Sequence, residues 1–173
     1  DILLTNPPFA GEIREQILLR DYELAKNKKG KLAKKVERDL LFIECALRLI
    51  RPGGRLAIVL PQGKFNNTNM EYVREWLLRK ARIIAVVGLH VNTFKPHTGT
   101  KTSVLFLQKW GGESGEPLKD YPIFMATSKK SGKDNSGEYV YKKDEKGNFA
   151  LDERGRRILD HDLNEVAEAF VRF

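Results

Sequence analysis

Residues 51–61 read RPGGRLAIVLP, and this stretch constrains the fold of the whole chain. Residues 55–60 are almost continuously apolar, which is typical of a central parallel strand covered by helices on both faces. Pro61 ends the strand because proline cannot donate a ladder hydrogen bond. The Pro-Gly-Gly before the strand ends any helix that leads into it. The stretch therefore predicts a helix that stops near residue 51 and a buried strand behind it.

Helical and strand patterns alternate on both sides of this stretch. Apolar residues recur at helical spacing between residues 40 and 50, directly before the Pro-Gly-Gly. The other predicted elements are strands at 1–5, 83–89 and 103–108 and helices at 12–24 and 69–82. Such alternation is typical of an α/β layer architecture with right-handed crossovers between parallel strands.

The connection between the strands at 83–89 and 103–108 is too short for a helical crossover. The last strand should therefore run antiparallel to its neighbour. We expect an α/β fold whose sheet is mostly parallel with one antiparallel strand, and whose helices lie on both faces.

Residues 111–173 have a different character, since Gly, Ser and Lys are frequent in them. GGESG at 111–115 and SKKSGKDNSG at 128–137 are interpreted as flexible connectors. A short strand is predicted within 121–126, a hairpin with its turn at 144–147 and a helix at 162–173, and no internal repeat is apparent. We predict two parts, residues 1–110 and residues 111–173. The second is a peripheral extension of the sheet or, alternatively, a small separate domain.

The composition is typical of a soluble globular chain. Of 173 residues, 41% are hydrophobic and 31% are charged, and neither a membrane span nor a secretory signal is apparent. The single cysteine, Cys45, lies in an apolar helical pattern and allows no intrachain disulfide, so we expect a cytoplasmic protein without a membrane partner. The net charge of +8 favours a phosphate-bearing partner such as nucleic acid.

The motif that carries chemistry is Asn6-Pro7-Pro8-Phe9, directly after the first predicted strand. The carboxyl edge of such a sheet is where α/β proteins bind ligands, and two prolines stiffen the loop. The Asn6 side-chain oxygen and the Pro7 carbonyl can accept both hydrogens of a primary amine, while Phe9 offers a flat apolar face. Such a site suits a planar heterocycle whose amino nitrogen is made tetrahedral and attacks a methyl group.

DILLTNPPF, RPGGRLAIVLPQG and NTFKPHTGTKTSVLFLQK follow one another within residues 1–110. Their order resembles the C-terminal half of the catalytic domain of N6-adenine DNA methyltransferases, most closely the modification subunit of type I restriction systems. The resemblance implies a partial class I, Rossmann-like methyltransferase sheet. It also implies S-adenosylmethionine-dependent methylation of adenine N6 in DNA, with DNA and the specificity and restriction subunits of a type I complex as partners.

The resemblance assigns roles to individual residues. Asn6, Pro7, Pro8 and Phe9 would form the catalytic motif, and Phe9 and Phe94 would stack on an adenine flipped out of the duplex. Asn6 would also border the cofactor. Thr98, Lys101 and Thr102 are candidates for contacts with DNA phosphates.

Several other positions receive a weaker assignment or none. The lysine-rich run at 26–35 fits a mobile, solvated loop or, alternatively, a DNA-contacting segment. Gln62 and Lys64 follow a strand end at the ligand-facing edge, without an assigned role. The histidines do not have the spacing of metal ligands, so no metal is expected; they are His90, His97 and His161.

The family places a glycine-rich cofactor loop, and a carboxylate for the cofactor ribose, on strands that precede the NPPF strand. This chain starts on that strand, so we expect the main cofactor loop to be missing and the chain alone to be inactive. Two alternatives stay open. The chain is a non-catalytic fragment or module that binds DNA or partner subunits, or it is a protein glutamine N5-methyltransferase, a family that usually carries Tyr where Phe9 stands.

Overall fold

The structure, a computed structural model, describes residues 1–27, 29–112 and 117–173. Lys28 and most of the connector predicted at 111–115 lie outside the described residues. The elements in chain order are β1 (Ile2–Thr5), β2 (Glu12–Ile13), α1 (Gln16–Leu19), β3 (Val36–Glu37), α2 (Arg38–Leu49), β4 (Arg55–Pro61), α3 (Gly63–Asn66), a 3-10 helix (Thr68–Met70), α4 (Glu71–Lys80), β5 (Ala81–Gly88), β6 (Thr102–Lys109), β7 (Phe124–Thr127) and α5 (Leu163–Arg172).

Five strands form one mixed sheet in the order β1-β4-β6-β5-β7, and β2 and β3 form a separate antiparallel pair. β1 and β4 are parallel, from Ile2 opposite Arg55 to Thr5 opposite Ile58. The end of β6 is hydrogen-bonded to the start of β4 and to the start of β5. The Lys109 N–H donates to the Gly54 carbonyl, and the Trp110 N–H donates to the Lys80 carbonyl. β6 is therefore antiparallel to both β4 and β5, as predicted from the short connection before it.

The chain divides into two compact units. Unit 1 comprises Asp1–Val86 and Val104–Ile123, and unit 2 comprises Val87–Ser103 and Phe124–Phe173. Unit 2 contains the loop between β5 and β6, the strand β7, a run of short hairpins and α5.

α2 ends where the sequence predicts, at the Pro-Gly-Gly turn. Gly53 has a φ of +79°, which glycine adopts without strain. A Cβ on Gly54 would lie 2.8 Å from the Arg51 carbonyl oxygen. The two glycines therefore allow the tight reversal that brings the chain from α2 into β4.

One hydrophobic core lies within unit 1. On β4, Leu56, Ile58 and Leu60 are fully buried, while the alternate residues Ala57 and Val59 are half-buried. Buried side chains of α2 and α4 belong to the same cluster as the three buried β4 residues, so both helices cover the same face. The predicted cover of both faces is thus complete on one face only.

β1 is the outermost strand of the sheet, and its side chains divide between two environments. Leu3 packs against the core, whereas Ile2 and Leu4 are 75% and 76% exposed. The sheet therefore presents aliphatic side chains on one face of its edge strand. Across the described residues, every helix is too short or too polar to cross a bilayer.

The helix predicted at 12–24 is wrong, because only Gln16–Leu19 forms a helical turn. Its first residues pair as β2 with β3, and its last residues are held by the buried carboxylate of Glu44 on α2. That carboxylate accepts the N–H groups of Glu23 and Leu24 at 2.8 and 2.9 Å. A side chain that accepts hydrogen bonds from backbone N–H groups competes with helix formation. The apolar spacing that predicted a helix therefore reflects one buried side of an irregular segment.

Candidate active site

The Asn6-Pro7-Pro8-Phe9 loop begins directly at the end of β1, next to the carboxyl end of β4. Pro7 is buried, Phe9 is half-buried, and Asn6 and Pro8 are exposed. The buried proline anchors the loop, while the Asn6 amide stays open to solvent and to an incoming ligand. The role of this loop in holding a planar amine stays a prediction.

The other end of the loop is also fixed. Gly11 has a φ of +105°, and a Cβ there would lie 3.1 Å from the Arg38 guanidinium carbon. The Gly11 carbonyl accepts the Arg38 N–H at 3.0 Å, and β2 follows at once with its pairing to β3. Because regular structure holds both ends and two prolines fix φ between them, the loop is preorganised.

Lys64, which the sequence places at the ligand-facing edge, belongs to a buried ion cluster. Its ammonium pairs with Glu37, and it lies 3.4 Å from Oδ2 of Asp39. Lys64 and Asp39 are both buried. The cation therefore ties the segment after β4 to β3 and to the first turn of α2. Gln62 is half-buried at the start of α3.

Asp39 is an unusual carboxylate for the start of a helix. Both of its oxygens are buried, and neither accepts a hydrogen bond from the described residues. Burial raises the pKa of Asp39, while Lys64 lowers it and Glu37 raises it by smaller amounts. The protonated form of Asp39 is therefore more favourable here than in an exposed aspartate.

The lysine-rich run is an ordered hairpin in the residues that the structure describes. Lys26 and Leu32 form an antiparallel bridge, and the Asn27 side-chain oxygen accepts the N–H groups of Lys29 and Lys31 at 3.0 Å each. The described lysines of the run are exposed, in agreement with the expected solvation; they are Lys26, Lys29, Lys31, Lys34 and Lys35.

A groove of about 930 Å³ lies between this hairpin and α4. Tyr72 and Trp76 contribute aromatic surface to it, and the cations that line it are Lys26, Lys31, Lys34 and Arg79. The contact with DNA predicted for this run stays a prediction.

Phe94 lies in unit 2, on the loop between β5 and β6, and is half-buried. The loop consists of successive turns in which N–H groups of Thr93, Lys95 and Thr98 donate to the carbonyls of His90, Asn92 and Phe94. Its backbone is therefore ordered without belonging to a helix or strand. The stacking role of Phe94 stays a prediction.

The three candidates for phosphate contacts differ in exposure. Lys101 is exposed and Thr98 is half-buried, with its hydroxyl bonded to that of Thr100 at 2.9 Å. Thr102 is only 1% exposed, and its hydroxyl has no partner among the described residues. A phosphate contact by Thr102 would require that hydroxyl to reach solvent, and its burial disfavours the predicted contact.

Three turns of the same construction follow one another in unit 2. Asp134, Asp144 and Asp152 each precede a glycine of positive φ by three residues, and the glycines are Gly137, Gly147 and Gly155. Each carboxylate accepts backbone N–H groups two and four residues ahead, from Ser136 and Glu138, from Lys146 and Asn148, and from Arg154 and Arg156. Each turn is thus closed by its own aspartate.

These turns correct two sequence interpretations. An internal repeat exists, and SKKSGKDNSG is not a connector but contains the first of the turns, with Lys133 bridged to Tyr139. The signal was Asp-x-x-Gly, repeated after ten and then eight residues. The hairpin predicted around 144–147 is confirmed as the second turn, with Lys143 bridged to Phe149.

In the parts of the chain that the structure describes, no three His, Cys, Asp or Glu side chains are grouped to hold a metal ion. Cys45 is a free thiol on α2, and it is half-buried.

The sequence of this chain is similar to those of known proteins. A family model described as N-6 DNA Methylase matches residues 1–152. The methylase subunit of the type I restriction enzyme EcoEI from Escherichia coli is 30% identical over 121 residues, which are 69% of this chain and 22% of that subunit.

Solved structures show the same fold. The type I restriction-modification methyltransferase subunit of Streptococcus thermophilus has a TM-score of 0.62 at 23% identity, over 99% of this chain and 32% of that one. A Listeria monocytogenes protein described as a class I S-adenosylmethionine-dependent methyltransferase has a TM-score of 0.59 at 21% identity. The match covers 73% of this chain and 36% of that protein. The predicted partial methyltransferase sheet is confirmed, and the chain spans 22% to 36% of these three proteins.

Proposed function

Because the chain belongs to the N-6 DNA methylase family, we propose that it is the amine-holding half of an adenine-specific DNA methyltransferase. The whole protein would transfer a methyl group from S-adenosylmethionine to N6 of adenine in DNA. The observation that supports this most directly is the exposed Asn6 amide on a loop anchored at both ends.

The chemistry required of the loop is to activate a poor nucleophile. The lone pair of an adenine amino group is delocalised into the ring. In the proposed complex, the Asn6 side-chain oxygen and the Pro7 carbonyl accept the two amino hydrogens, which favours a tetrahedral nitrogen. As N6 bonds to the methyl carbon, the bond from that carbon to the cofactor sulfur would break, with its electron pair kept by sulfur. One proton of N6 would then pass to water, to which the exposed Asn6 is open.

The adenine must leave the duplex to reach this loop, because its amino group is paired inside the helix. Phe9, the last residue of the loop, would stack on the flipped base. A stacking role on the flipped base is also proposed for Phe94. Stacking on aromatic side chains is worth about 1–3 kcal/mol per base, enough to offset part of the cost of flipping.

The described residues supply only part of a cofactor site. S-adenosylmethionine, when bound, supplies an electrophilic methyl group. Among the described residues, the turn from β4 into α3, Pro61-Gln62-Gly63, contains a glycine. The next residue, Lys64, belongs to the buried ion cluster. We therefore propose that Asn6 borders the methyl group and that other residues of the full protein cradle the rest of the cofactor.

The proposed partners follow from the same assignment. We propose DNA as substrate, with Lys101 and Thr98 near its phosphates, and a type I complex in which specificity and restriction subunits accompany this protein. The glutamine N5-methyltransferase alternative gains no support from the comparisons, since the matching family model describes DNA methylases.

The decisive variant is Asn6→Ala in the full-length protein, assembled with its partner subunits. We expect methyl transfer to DNA to fall by about 10²–10³-fold, because a hydrogen-bonding group used in the transition state is lost. The measurement is incorporation of labelled methyl groups from S-adenosylmethionine into duplex DNA that contains the recognition site.

Asn66→Ala is the matched control, since Asn66 is another exposed asparagine, at the end of α3. It should methylate at the wild-type rate. Wild-type turnover by Asn6→Ala would refute the assignment. A wild-type complex that binds DNA without methylating it would instead support the non-catalytic alternative.

A further inference from the structure

The first of the three aspartate turns in unit 2 contacts the loop that carries Phe94. Asn92, two residues before Phe94, is 5% exposed, and its side-chain amide donates to the Lys133 carbonyl at 3.3 Å and to Oδ1 of Asn135 at 3.1 Å. The Lys133 ammonium donates to the Lys95 carbonyl at 2.8 Å. The turn therefore holds the Phe94 loop on both sides of the aromatic residue.

Gly137 makes the closest approach between the two segments. A Cβ on Gly137 would lie 2.6 Å from the Pro96 nitrogen and 2.8 Å from the Lys95 carbonyl carbon, distances that real Cβ atoms essentially never show. Both atoms are backbone, so they cannot move aside by a rotamer change. Any side chain at position 137 must separate the turn from the Phe94 loop.

The equivalent glycines of the other two turns are different. Gly147 and Gly155 have φ values of +84° and +73°, close to the +98° of Gly137, but a Cβ at either would meet nothing within 4 Å. All three positions therefore need glycine because of their backbone conformation. Only Gly137 also needs it because the Pro96 and Lys95 backbone leaves no room for a Cβ.

We propose that the Lys133–Gly137 turn is a bracket that holds the Phe94 loop in the conformation in which Phe94 stacks on a flipped base. Asn92, Lys133 and Gly137 are then positioning residues for methyl transfer, although none of them touches the base. This inference rests on the proposed function, because it uses the stacking role of Phe94.

The physical need for such a bracket follows from the Phe94 loop itself. Residues 89–101 belong to no helix or strand, and the loop's own hydrogen bonds close single turns. An aromatic wall on an unsupported loop would have to be ordered each time a base binds, which weakens binding. Support from a second segment removes that cost before the base arrives.

The test compares Gly137→Ala with Gly147→Ala in the full-length protein and its complex. Both variants place a Cβ at positive φ, so the strain within the turn is matched. Gly137→Ala should lower kcat/KM for DNA methylation by about 10- to 100-fold, because the aromatic wall is displaced. Gly147→Ala should stay close to the wild type.

Two readouts separate positioning from a general loss of structure. The fluorescence of 2-aminopurine at the target position should change in Gly137→Ala in the same direction as in Phe94→Ala, and not in Gly147→Ala. Amide hydrogen exchange at Lys95 and Thr98 should accelerate in Gly137→Ala alone, while exchange in β4 stays unchanged.

Lys133 gives a second variant if Gly137→Ala does not fold. Lys133→Met should reproduce the loss and Lys133→Arg should restore most of the rate, since Arg keeps a donor for the Lys95 carbonyl. Equal methylation by Gly137→Ala and Gly147→Ala, whether both are normal or both impaired, would overturn the bracket. That result would leave the proposed function intact, provided that the wild type is active and Asn6→Ala still shows the expected loss of methyl transfer.

Discussion

Each of the two units of this protein is stabilised internally by a different kind of interaction. The hydrophobic cluster of buried residues lies entirely in unit 1, where strand and helix side chains exclude water from one face of the sheet. In unit 2 the run from Ser131 to His161 is a series of single bridges closed by aspartate turns, and α5 has no fully buried residue. Apolar burial therefore stabilises unit 1, and local hydrogen bonds contribute most of the regular pairing in unit 2.

The same contrast appears in the aspartates. Burial raises the pKa of Asp39 in unit 1, whereas hydrogen bonds from the Ser136 hydroxyl and from backbone N–H groups lower those of Asp134, Asp144 and Asp152 in unit 2. One environment penalises the charge and the other stabilises it.

The largest expected effect is in the core of unit 1. Ile58→Ala removes a fully buried side chain from β4 and should lower the opening free energy of the β4 amides by about 2–5 kcal/mol. Hydrogen exchange in the full-length protein measures it. Leu49→Ala, at an exposed position of α2 in the same unit, is the control, with an expected change within about 0.5 kcal/mol. Similar losses in both variants would contradict a one-sided core.

A smaller effect is expected in unit 2, where Ser128 is buried and its hydroxyl donates to Oδ1 of Asp162 at 2.6 Å. Ser128→Ala should lower the opening free energy of residues 128–162 by about 1 kcal/mol, the usual worth of such a hydrogen bond. Ser136→Ala, at an exposed hydroxyl, should change it less. If β4 exchange also accelerates in Ser128→Ala, the two units are not independently stabilised.

The smallest effect is a difference in pH dependence. The lowered pKa values in unit 2 contribute stability above the ordinary aspartate pKa, and that stability is lost as the pH falls through the lowered values. Asp39 acts in the opposite sense, because its raised pKa removes stability as the pH rises from the ordinary value to the raised one. Acidification should therefore loosen the turns, whereas around Asp39, at the start of α2, it should remove the cost of a buried charge.

Hydrogen exchange at several pH values, corrected for intrinsic rates, would measure this difference. Asp39→Asn should flatten the pH dependence of exchange at the start of α2 and leave that of the turns unchanged. Parallel pH profiles at the start of α2 and in the turns would show that the aspartates do not control the difference.

Much of unit 1 was predictable because its signals are local. The Pro-Gly-Gly turn fixes the end of α2, and the short connection after β5 fixes the direction of β6. β2 and β3 escaped prediction because two residues are too few to show an alternating pattern. Their pairing also joins residues far apart in the chain, Glu12 with Glu37 and Ile13 with Val36. The predicted division at residue 110 stays a prediction.

The candidate site shows the same limit. Asn6-Pro7-Pro8-Phe9 is contiguous and was found from its letters, as was the position of Phe94 in a loop before a strand. The bracket was not found, because Asn92 meets Lys133 across 41 residues and no local pattern records that contact. The burial of Lys64 depends in the same way on carboxylates that lie more than twenty residues earlier in the chain.

The exposed aliphatic row on β1 has a practical consequence. Among the described residues, no strand pairs with the outer side of β1, and the Ile2 and Leu4 side chains are exposed. Such an edge is a template for pairing with another copy. Handled as an isolated polypeptide at high concentration, these 173 residues should self-associate through that edge. Lysine at positions 2 and 4 would discourage such stacking and keep the polypeptide monomeric in solution.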